Sequence, residues 1–221
     1  LLRRELAVDA LAGYLARVRA ALPMPVTYAD VWEFWLRNPE LASHADFVTV
    51  HSLPYWEDEP VSVADAVAHA DSVLGRVRSA FADRPVLVGE TGWPSAGRIR
   101  EGAGPGRVAQ ARYVREFVAW ARATGTDYNL VEAFDQPWKR GLEGTVGGHW
   151  GLVDPATGDL AFAPDGPVRE IDDWVRPLVP SALTAWVLLC LAFGGRNEAR
   201  GPLAPVALGA GAAMAAIAIS L

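Results

Sequence analysis

Apolar and polar positions along residues 1–176 recur with periods that predict helices and short strands in alternation. A first helix is predicted over residues 1–22, because its apolar residues lie three or four positions apart: Leu6, Leu11, Tyr14, Leu15, Val18 and Leu22. A second helix is predicted after Ser62, which is a suitable N-cap. A third is predicted over residues 106–125, with Gly125 as its C-cap and an inner stripe of Val108, Ala111, Val114, Phe117, Val118 and Ala121.

Four short strands are predicted between these helices, in segments 23–30, 46–51, 84–90 and 127–134. The third is apolar at nearly every position, which is typical of a buried parallel strand. Residues 30–41 predict a helix or an irregular turn broken at Asn38-Pro39, and residues 166–176 predict a last helix. This α/β alternation predicts a parallel sheet, and four strands are half of a (β/α)8 TIM barrel.

The C-terminal tail has a different pattern. Residues 177–195 and 202–221 carry no charged residue, and each run is about the ~20 residues that cross a bilayer as a helix. The loop 196–201 between them contains Arg196 and Arg200, which favours a cytoplasmic loop and places residues 1–176 on the extracytoplasmic side. The alternative is a pair of buried helices in a soluble protein. The start at Leu1 and the apolar end at Leu221 are expected to be cuts through a longer protein.

Charge and cysteine content narrow the possible partners and cofactors. The net charge of −6 disfavours nucleic acid as a partner, because phosphate contacts need basic residues. The single Cys190 excludes an internal disulfide and a multi-cysteine metal site. His51 and His149 lack a third ligand at a suitable spacing, so no metal and no cofactor are predicted.

The segment VLVGETGWPS carries the sharpest chemical signal. A strand delivers Glu90 to its own C-terminal end, where barrel enzymes hold their chemistry. Gly89 and Gly92 permit a tight backbone, and Trp93-Pro94 follows as a rigid aromatic wall. A carboxylate beside an indole face suits sugar chemistry, because the ring stacks on a sugar while the carboxylate meets the anomeric carbon. An ion pair or a helix cap is the alternative interpretation of such a glutamate.

Several segments resemble glycoside hydrolase family 17, the β-1,3-glucanases and β-1,3-glucanosyltransferases, in the family's own order. VGETGWPSAG resembles the nucleophile segment, VTVHSLPYWE the preceding strand, NLVEAFDQPWK the last strand and GGHWGLVDPATG the closing motif. The resemblance covers the chain from its start to about residue 176. It implies strands five to eight of the barrel, a retaining mechanism and Glu90 as the nucleophile.

The family's second catalytic glutamate belongs to an Asn-Glu motif at the end of the fourth barrel strand. Asn197-Glu198 is in the tail loop and does not fit that place. Because LLRREL resembles the start of the helix that follows the motif, the acid/base is expected a few residues before Leu1. Glu5 is a poor substitute, since it belongs to an amphipathic helical pattern and not to a strand end.

Other strand-end residues are candidate ligands for the sugar. Tyr55 is a hydrogen-bond donor to Glu90 or a sugar hydroxyl, with packing at the barrel rim as the alternative. Glu132 is expected to orient the substrate, or to form an ion pair with Lys139 or Arg140. Stacking and polar contacts with the sugar are predicted for the remaining candidates, which are Trp56, Trp93, Trp138, Asp135 and Lys139.

The resemblance implies a retaining glycoside hydrolase or transglycosylase acting on β-1,3-glucan. The alternative is a non-catalytic glucan-binding or guiding domain of a membrane β-glucan synthase. The motifs resemble those of bacterial members of the family, some of which join this domain to membrane segments and a glycosyltransferase module. The membrane and such a module are therefore expected as partners, besides the β-glucan itself. The predicted location is the inner membrane, with the catalytic domain on the periplasmic side. The fragment alone is expected to be inactive and poorly soluble, because half of the barrel leaves strand edges unpaired.

Overall fold

Four parallel strands, each joined to the next by a helical connection, form one sheet in chain order. The structure is a computed structural model that describes residues 6–170 and 182–187 of the 221-residue chain. The strands are β1 (Ala29–Val31), β2 (Val48–His51), β3 (Val86–Thr91) and β4 (Asp127–Leu130). The helices are α1 (Val8–Ala21), α2 (Trp32–Arg37), α3 (Ala66–Ala80), α4 (Arg107–Thr124) and α5 (Arg140–Glu143). Short 3-10 turns cover Pro39–His44, Pro137–Lys139 and Thr145–Gly148. The predicted α/β order with a parallel sheet is confirmed.

The core lies between this sheet and the faces of α3 and α4. The middle strands place Val48, Val50 and Val88 in it with no exposed surface. From α3, the small and branched residues at three- and four-residue spacing are buried, namely Ala66, Ala70, Val73, Leu74 and Val77. Burial of this continuous apolar surface holds each helix against the sheet, as expected for parallel α/β units.

Helix α4 is rotated relative to the predicted stripe. Val108 is 41% exposed, whereas Gln110 and Tyr113 are buried beside Phe117. The polar side chains tolerate burial because they have partners. The Tyr113 hydroxyl lies 2.5 Å from the Thr91 hydroxyl, and the Gln110 amide donates to the backbone carbonyl of Gly151 at 3.3 Å. Gly125 ends the helix with a left-handed φ of 64°, so the predicted C-cap is confirmed.

Helix α1 buries only part of its predicted stripe. Leu11 and Leu15 are buried, while Tyr14, Val18 and Leu22 are 50%, 41% and 44% exposed. Val8 and Ala12 are half-buried and also pack against the core, so α1 contacts it along one face and leaves the C-terminal part of its predicted stripe exposed.

Three local predictions need correction. β1 starts at Ala29, later than expected. Ser62 is not the N-cap of α3, because its hydroxyl donates to Asp65 at 2.6 Å in a turn and the helix begins only at Ala66. Residues 166–170 are not helical, and residues 171–176 lie outside the described part of the chain. The break at Asn38 is confirmed, since its side-chain amide bonds the Phe34 carbonyl at 2.7 Å and ends α2.

The chain divides into two units, residues 1–170 and 171–221. In the second unit the structure describes residues 182–187, which are helical. No helix in the described parts of the chain has both the length and the apolarity to cross a bilayer. The predicted membrane hairpin of residues 177–195 and 202–221 otherwise lies outside the described residues.

Candidate active site

The C-terminal ends of β2, β3 and β4 bring the predicted chemistry to one edge of the sheet. A register shift after Val50 sets His51 directly opposite Glu90, and the Ser52 N–H donates to the Glu90 carbonyl at 2.9 Å. On the other side of β3, the Val131 N–H donates to the Thr91 carbonyl at 2.8 Å. The backbone at Glu90 is therefore fixed from both neighbouring strands.

Glu90 presents its carboxylate to solvent at this edge. Its side chain is 46% exposed, and Oε2 lies 3.3 Å from Nδ1 of His51. The His51 side chain is only 17% exposed, so the two groups meet at the boundary between core and solvent. A half-exposed carboxylate at a strand end is accessible to a ligand, which a buried ion pair or a helix cap would not be.

The glycines on either side of Glu90 are required by close packing. A Cβ at Gly89 would lie 2.5 Å from Cγ2 of Thr49, and a Cβ at Gly92 would lie 2.4 Å from the carbonyl oxygen of Val131. Neither separation is possible for a real side chain, so the tight backbone predicted for this segment is confirmed.

A cleft of about 430 Å³ opens beside Glu90. Its aromatic floor consists of the half-buried Trp56 and of Trp150, which is only 4% exposed; the two rings are stacked with centroids 6.4 Å apart and an interplanar angle of 18°. The other lining residues combine apolar and charged groups, namely Leu53, Val131, Glu132, Lys139, Leu142 and Glu143. Indole rings beside a carboxylate form the environment that sugar rings need for stacking and polar contact.

Tyr55 and Trp93 lie beneath this cleft, not on its surface. Both side chains are fully buried. The Tyr55 hydroxyl donates to the Arg98 carbonyl at 2.6 Å, and the Trp93 indole N–H donates to the Gly104 carbonyl at 3.0 Å. The predicted ligand contacts are corrected here to packing roles, because buried rings with used donors cannot meet a substrate. Burial also raises the pKa of Tyr55.

Glu132 and Lys139 face each other in the wall of the cleft. Nζ of Lys139 donates to Oε2 of Glu132 at 2.6 Å, and the Gln136 amide donates to the same oxygen. The Glu132 side chain is 10% exposed, and its Oε1 is buried with no hydrogen-bond partner among the described residues. Of the two interpretations of Glu132, the ion pair with Lys139 is present, and both residues also line the cleft.

Asp135 and Trp138 lie farther along the loop after β4. Asp135 accepts a hydrogen bond from the Gly151 N–H at 2.8 Å, and its second oxygen is 3.4 Å from Nδ1 of His149. Trp138 is 72% exposed and does not line the cleft. Contacts of these two side chains with sugar stay predictions.

Several cleft residues were not predicted from the sequence. Trp150 lies in the closing motif, and no role in ligand binding was predicted for it. Glu143 and Leu142 lie on α5, a four-residue helix for which no periodicity is visible. The position of Trp150 could have been inferred from the aromatic place in its motif, whereas the α5 residues carry no such signal.

A second groove of about 430 Å³ adjoins the cleft across Leu53 and Trp56. It is lined by α2 and by the loop after β2, with Trp32, Glu33, Arg37, His51, Glu57 and Asp58 on its walls. The Trp32 indole N–H donates to Glu57 at 3.1 Å. Burial, together with the nearby carboxylates, raises the pKa of Glu33. Among the described residues no three His, Cys, Asp or Glu side chains converge as metal ligands.

The parallel sheet with its carboxylate and aromatic cleft resembles the TIM-barrel glycoside hydrolases. The chain belongs to the BtgE/BtgC glycoside hydrolase domain family, whose model matches residues 1–151. The sequence is 30% identical over 151 residues to a glucan 1,3-beta-glucosidase of Schizosaccharomyces pombe, covering 63% of this chain and 47% of that protein. It is 31% identical over 156 residues to a probable glucan endo-1,3-beta-glucosidase of Aspergillus clavatus, covering 61% of this chain and 21% of that protein.

Two solved structures of a Rhizomucor miehei enzyme are similar to this fold. The glycoside hydrolase family 17 beta-1,3-glucanosyltransferase matches with a TM-score of 0.61 and 28% identity over 69% of this chain and 55% of that one. An active-site mutant in complex with laminaritriose matches with a TM-score of 0.64 and 26% identity over 74% of this chain and 61% of that one. The family predicted from the sequence is confirmed, and the chain spans less than two thirds of each of these relatives.

Proposed function

We propose that Glu90 is the nucleophile of a retaining enzyme that hydrolyses or transglycosylates β-1,3-glucan. The observation that carries the proposal is the half-exposed Glu90 carboxylate at the end of β3, beside an aromatic floor. The backbone around it is packed so closely that Gly89 and Gly92 have no room for a side chain. Relatives named for glucan 1,3-beta-glucosidase activity support the substrate class.

The reaction proceeds in two displacements. A Glu90 oxygen forms an ester bond to the anomeric carbon while the glycosidic C–O bond breaks, and the leaving oxygen takes a proton from a second carboxyl. That carboxylate then removes a proton from water or from a sugar hydroxyl, whose oxygen attacks the anomeric carbon and releases Glu90. The two carboxyls must lie about 5–5.5 Å apart for this cycle. From the family resemblance we expect the second one upstream of residue 1.

The walls of the cleft fit a glucan chain. Trp56 offers a ring face for stacking above the buried Trp150, while Glu132 and Lys139 line the wall with an acceptor and a donor for sugar hydroxyls. The laminaritriose complex of the Rhizomucor miehei enzyme supports this ligand, since its fold matches 74% of this chain.

We also propose that residues 1–176 supply strands five to eight of a (β/α)8 barrel. The sheet order supports this, since a barrel places consecutive parallel strands side by side. The related structures of which this chain covers 55% and 61% support it as well. In such a barrel β1 and β4 pair with the strands of the other half, which removes both sheet edges.

The test of the nucleophile is covalent labelling of the intact protein. A 2-deoxy-2-fluoro β-glucosyl or laminaribiosyl fluoride should label Glu90, identified by peptide mass spectrometry, and Glu90→Gln should abolish both the label and the turnover of laminari-oligosaccharides. The matched control is Glu116→Gln, because Glu116 is an exposed glutamate on α4 that pairs with Arg112. Absence of the label from the wild-type protein would refute the nucleophile. If laminaritriose still bound in that case, the result would favour the non-catalytic guiding domain.

The tail supports a proposal about location. We infer that residues 177–195 and 202–221 anchor a bacterial protein of this type in the inner membrane, with residues 1–176 outside and the loop 196–201 in the cytoplasm, next to a glycosyltransferase module. The uncharged runs and the two arginines between them support this arrangement.

Topology mapping tests the proposed location. In a Cys190→Ser background, a cysteine introduced by Asn197→Cys should resist a membrane-impermeant maleimide in intact spheroplasts and react after lysis. A cysteine introduced by Ser72→Cys should react in both, because Ser72 is an exposed residue of α3. Reaction of the loop cysteine before lysis would contradict the proposal.

A further inference from the structure

The histidine beside Glu90 has a geometry that its packing alone does not explain. Nδ1 of His51 is buried and has no hydrogen-bond partner among the described residues. The Glu90 Oε2 atom lies 3.3 Å away from it. A buried polar group without a partner is costly, so a small rotation that closes this N–H···O contact is favoured. The pair is therefore a hydrogen bond nearly made, at the edge of the cleft.

The backbone fixes this pairing. The register shift after Val50 places His51 opposite Glu90. Without this shift, His51 would pair with Gly89. The Ser52 N–H, which donates to the Glu90 carbonyl at 2.9 Å, holds the two strands together at this point. Gly89 lies next to the imidazole as well, since a Cβ there would be in van der Waals contact with it, 3.7 Å from Nδ1.

We propose that His51 is a positioning residue that orients the Glu90 carboxylate by donating its Nδ1–H to Oε2. This inference rests on the proposed nucleophile. With Oε2 held by the imidazole, the other carboxylate oxygen is presented to the anomeric carbon in a fixed direction. A nucleophile aimed in this way reacts faster, because misplacement by about 1 Å costs up to about a hundredfold in rate.

Other charged groups lie near the imidazole. His51 also lines the second groove, where Glu33 and Arg37 come from α2 and Glu57 and Asp58 from the loop after β2. None of these four charged residues lines the cleft beside Glu90.

The test uses the intact protein and two variants of His51. His51→Leu removes the donor, and His51→Asn keeps an N–H donor. His44→Asn is the matched control, since His44 lies in the 3-10 turn before β2 and lines neither groove. The measurements are the rate constant for labelling of Glu90 by the fluorinated glycoside, and kcat and KM for laminari-oligosaccharides.

Orientation by His51 predicts that His51→Leu labels about tenfold to a hundredfold more slowly, with KM changed less than about threefold. His51→Asn should keep the rate within about threefold of wild type, while His44→Asn should match wild type throughout. Labelling of His51→Leu at the wild-type rate, or labelling of His51→Asn as slow as that of His51→Leu, would overturn the role of His51 and leave Glu90 as nucleophile. Failure of the wild-type protein to label would overturn both.

Discussion

The ion pair between Glu132 and Lys139 gives the sharpest test of how the cleft wall is held. Lys139→Met removes the ammonium that lies 2.6 Å from Oε2 of Glu132 and leaves Gln136 as the remaining donor to that oxygen. Oε1 is already buried with no partner among the described residues. Breaking a buried pair by removing one partner typically costs about 3–5 kcal/mol. Because the lysine side chain is 31% exposed, water replaces part of the lost contact, and we expect about 2–3 kcal/mol.

A double-mutant cycle separates this ion pair from the packing around it. Glu132→Gln removes the carboxylate charge at nearly constant shape, so Glu132→Gln with Lys139→Met should cost less than the two single changes together. We expect a coupling energy of about 1–3 kcal/mol. The assay is urea unfolding of the intact protein, followed by tryptophan fluorescence, with equal m-values required for comparison. A coupling energy below about 0.5 kcal/mol would refute the argument and show that the two side chains are held independently.

Three other changes test separate parts of the structure. Gly92→Ala should lower the free energy of unfolding by about 1–3 kcal/mol, since the new Cβ would lie 2.4 Å from the carbonyl oxygen of Val131. As a control in the same urea titration, Gly75→Ala should stabilise the protein by about 0.5–1 kcal/mol, because Gly75 lies in α3 with open space around it. Trp138→Ala should change stability by less than about 0.5 kcal/mol and raise KM for laminari-oligosaccharides about twofold to tenfold, as measured by steady-state kinetics, if this 72% exposed ring stacks on sugar; an unchanged KM would remove it from the substrate site. The Val26 N–H that bonds to Asp46 holds the pKa of that carboxyl below its usual range. Its stabilisation is therefore present above about pH 4 and is lost as the pH falls through the lowered pKa, so Asp46→Asn should flatten the decline of the urea midpoint between about pH 4 and pH 2.

The order of helices and strands could be predicted from the sequence because the spacing of apolar residues reflects the local secondary structure. Branched apolar runs predicted β2 and β3, and helical spacing predicted α3 and α4, all within a few residues of their observed bounds. The identity of the buried face was harder to predict. In α4 the sheet selects a face that contains Gln110 and Tyr113, since both find polar partners there, and no hydrophobicity pattern anticipates such a partner.

The sequence predicted which strand ends form the site, but not which side chains there point into the cleft. The segment around Glu90 combines a strand, two glycines and an aromatic residue, and the structure shows why each glycine is needed. Tyr55 and Trp56 are adjacent in the turn after β2, yet one is buried and the other borders the cleft, a difference that strand periodicity does not predict. Trp150 reaches the cleft from a motif about sixty residues after Glu90, a distance along the chain that only tertiary packing closes.

The buried aromatic residues therefore support the site from below. The Tyr55 ring meets Trp56, Trp93 and Trp150 edge-on, with centroids 5.3 Å, 6.0 Å and 6.0 Å apart. Edge-to-face contacts of this kind are directional, so they fix the tilt of each indole as well as its depth. Because Trp93 follows Glu90 by three residues and the other two indoles form the floor of the cleft, a single buried ring links the position of the carboxylate to the surface on which a sugar would stack. Tyr55 thus serves the site without touching a ligand, which explains how a residue next to the cleft can matter to its geometry while its own hydroxyl is committed to the Arg98 carbonyl.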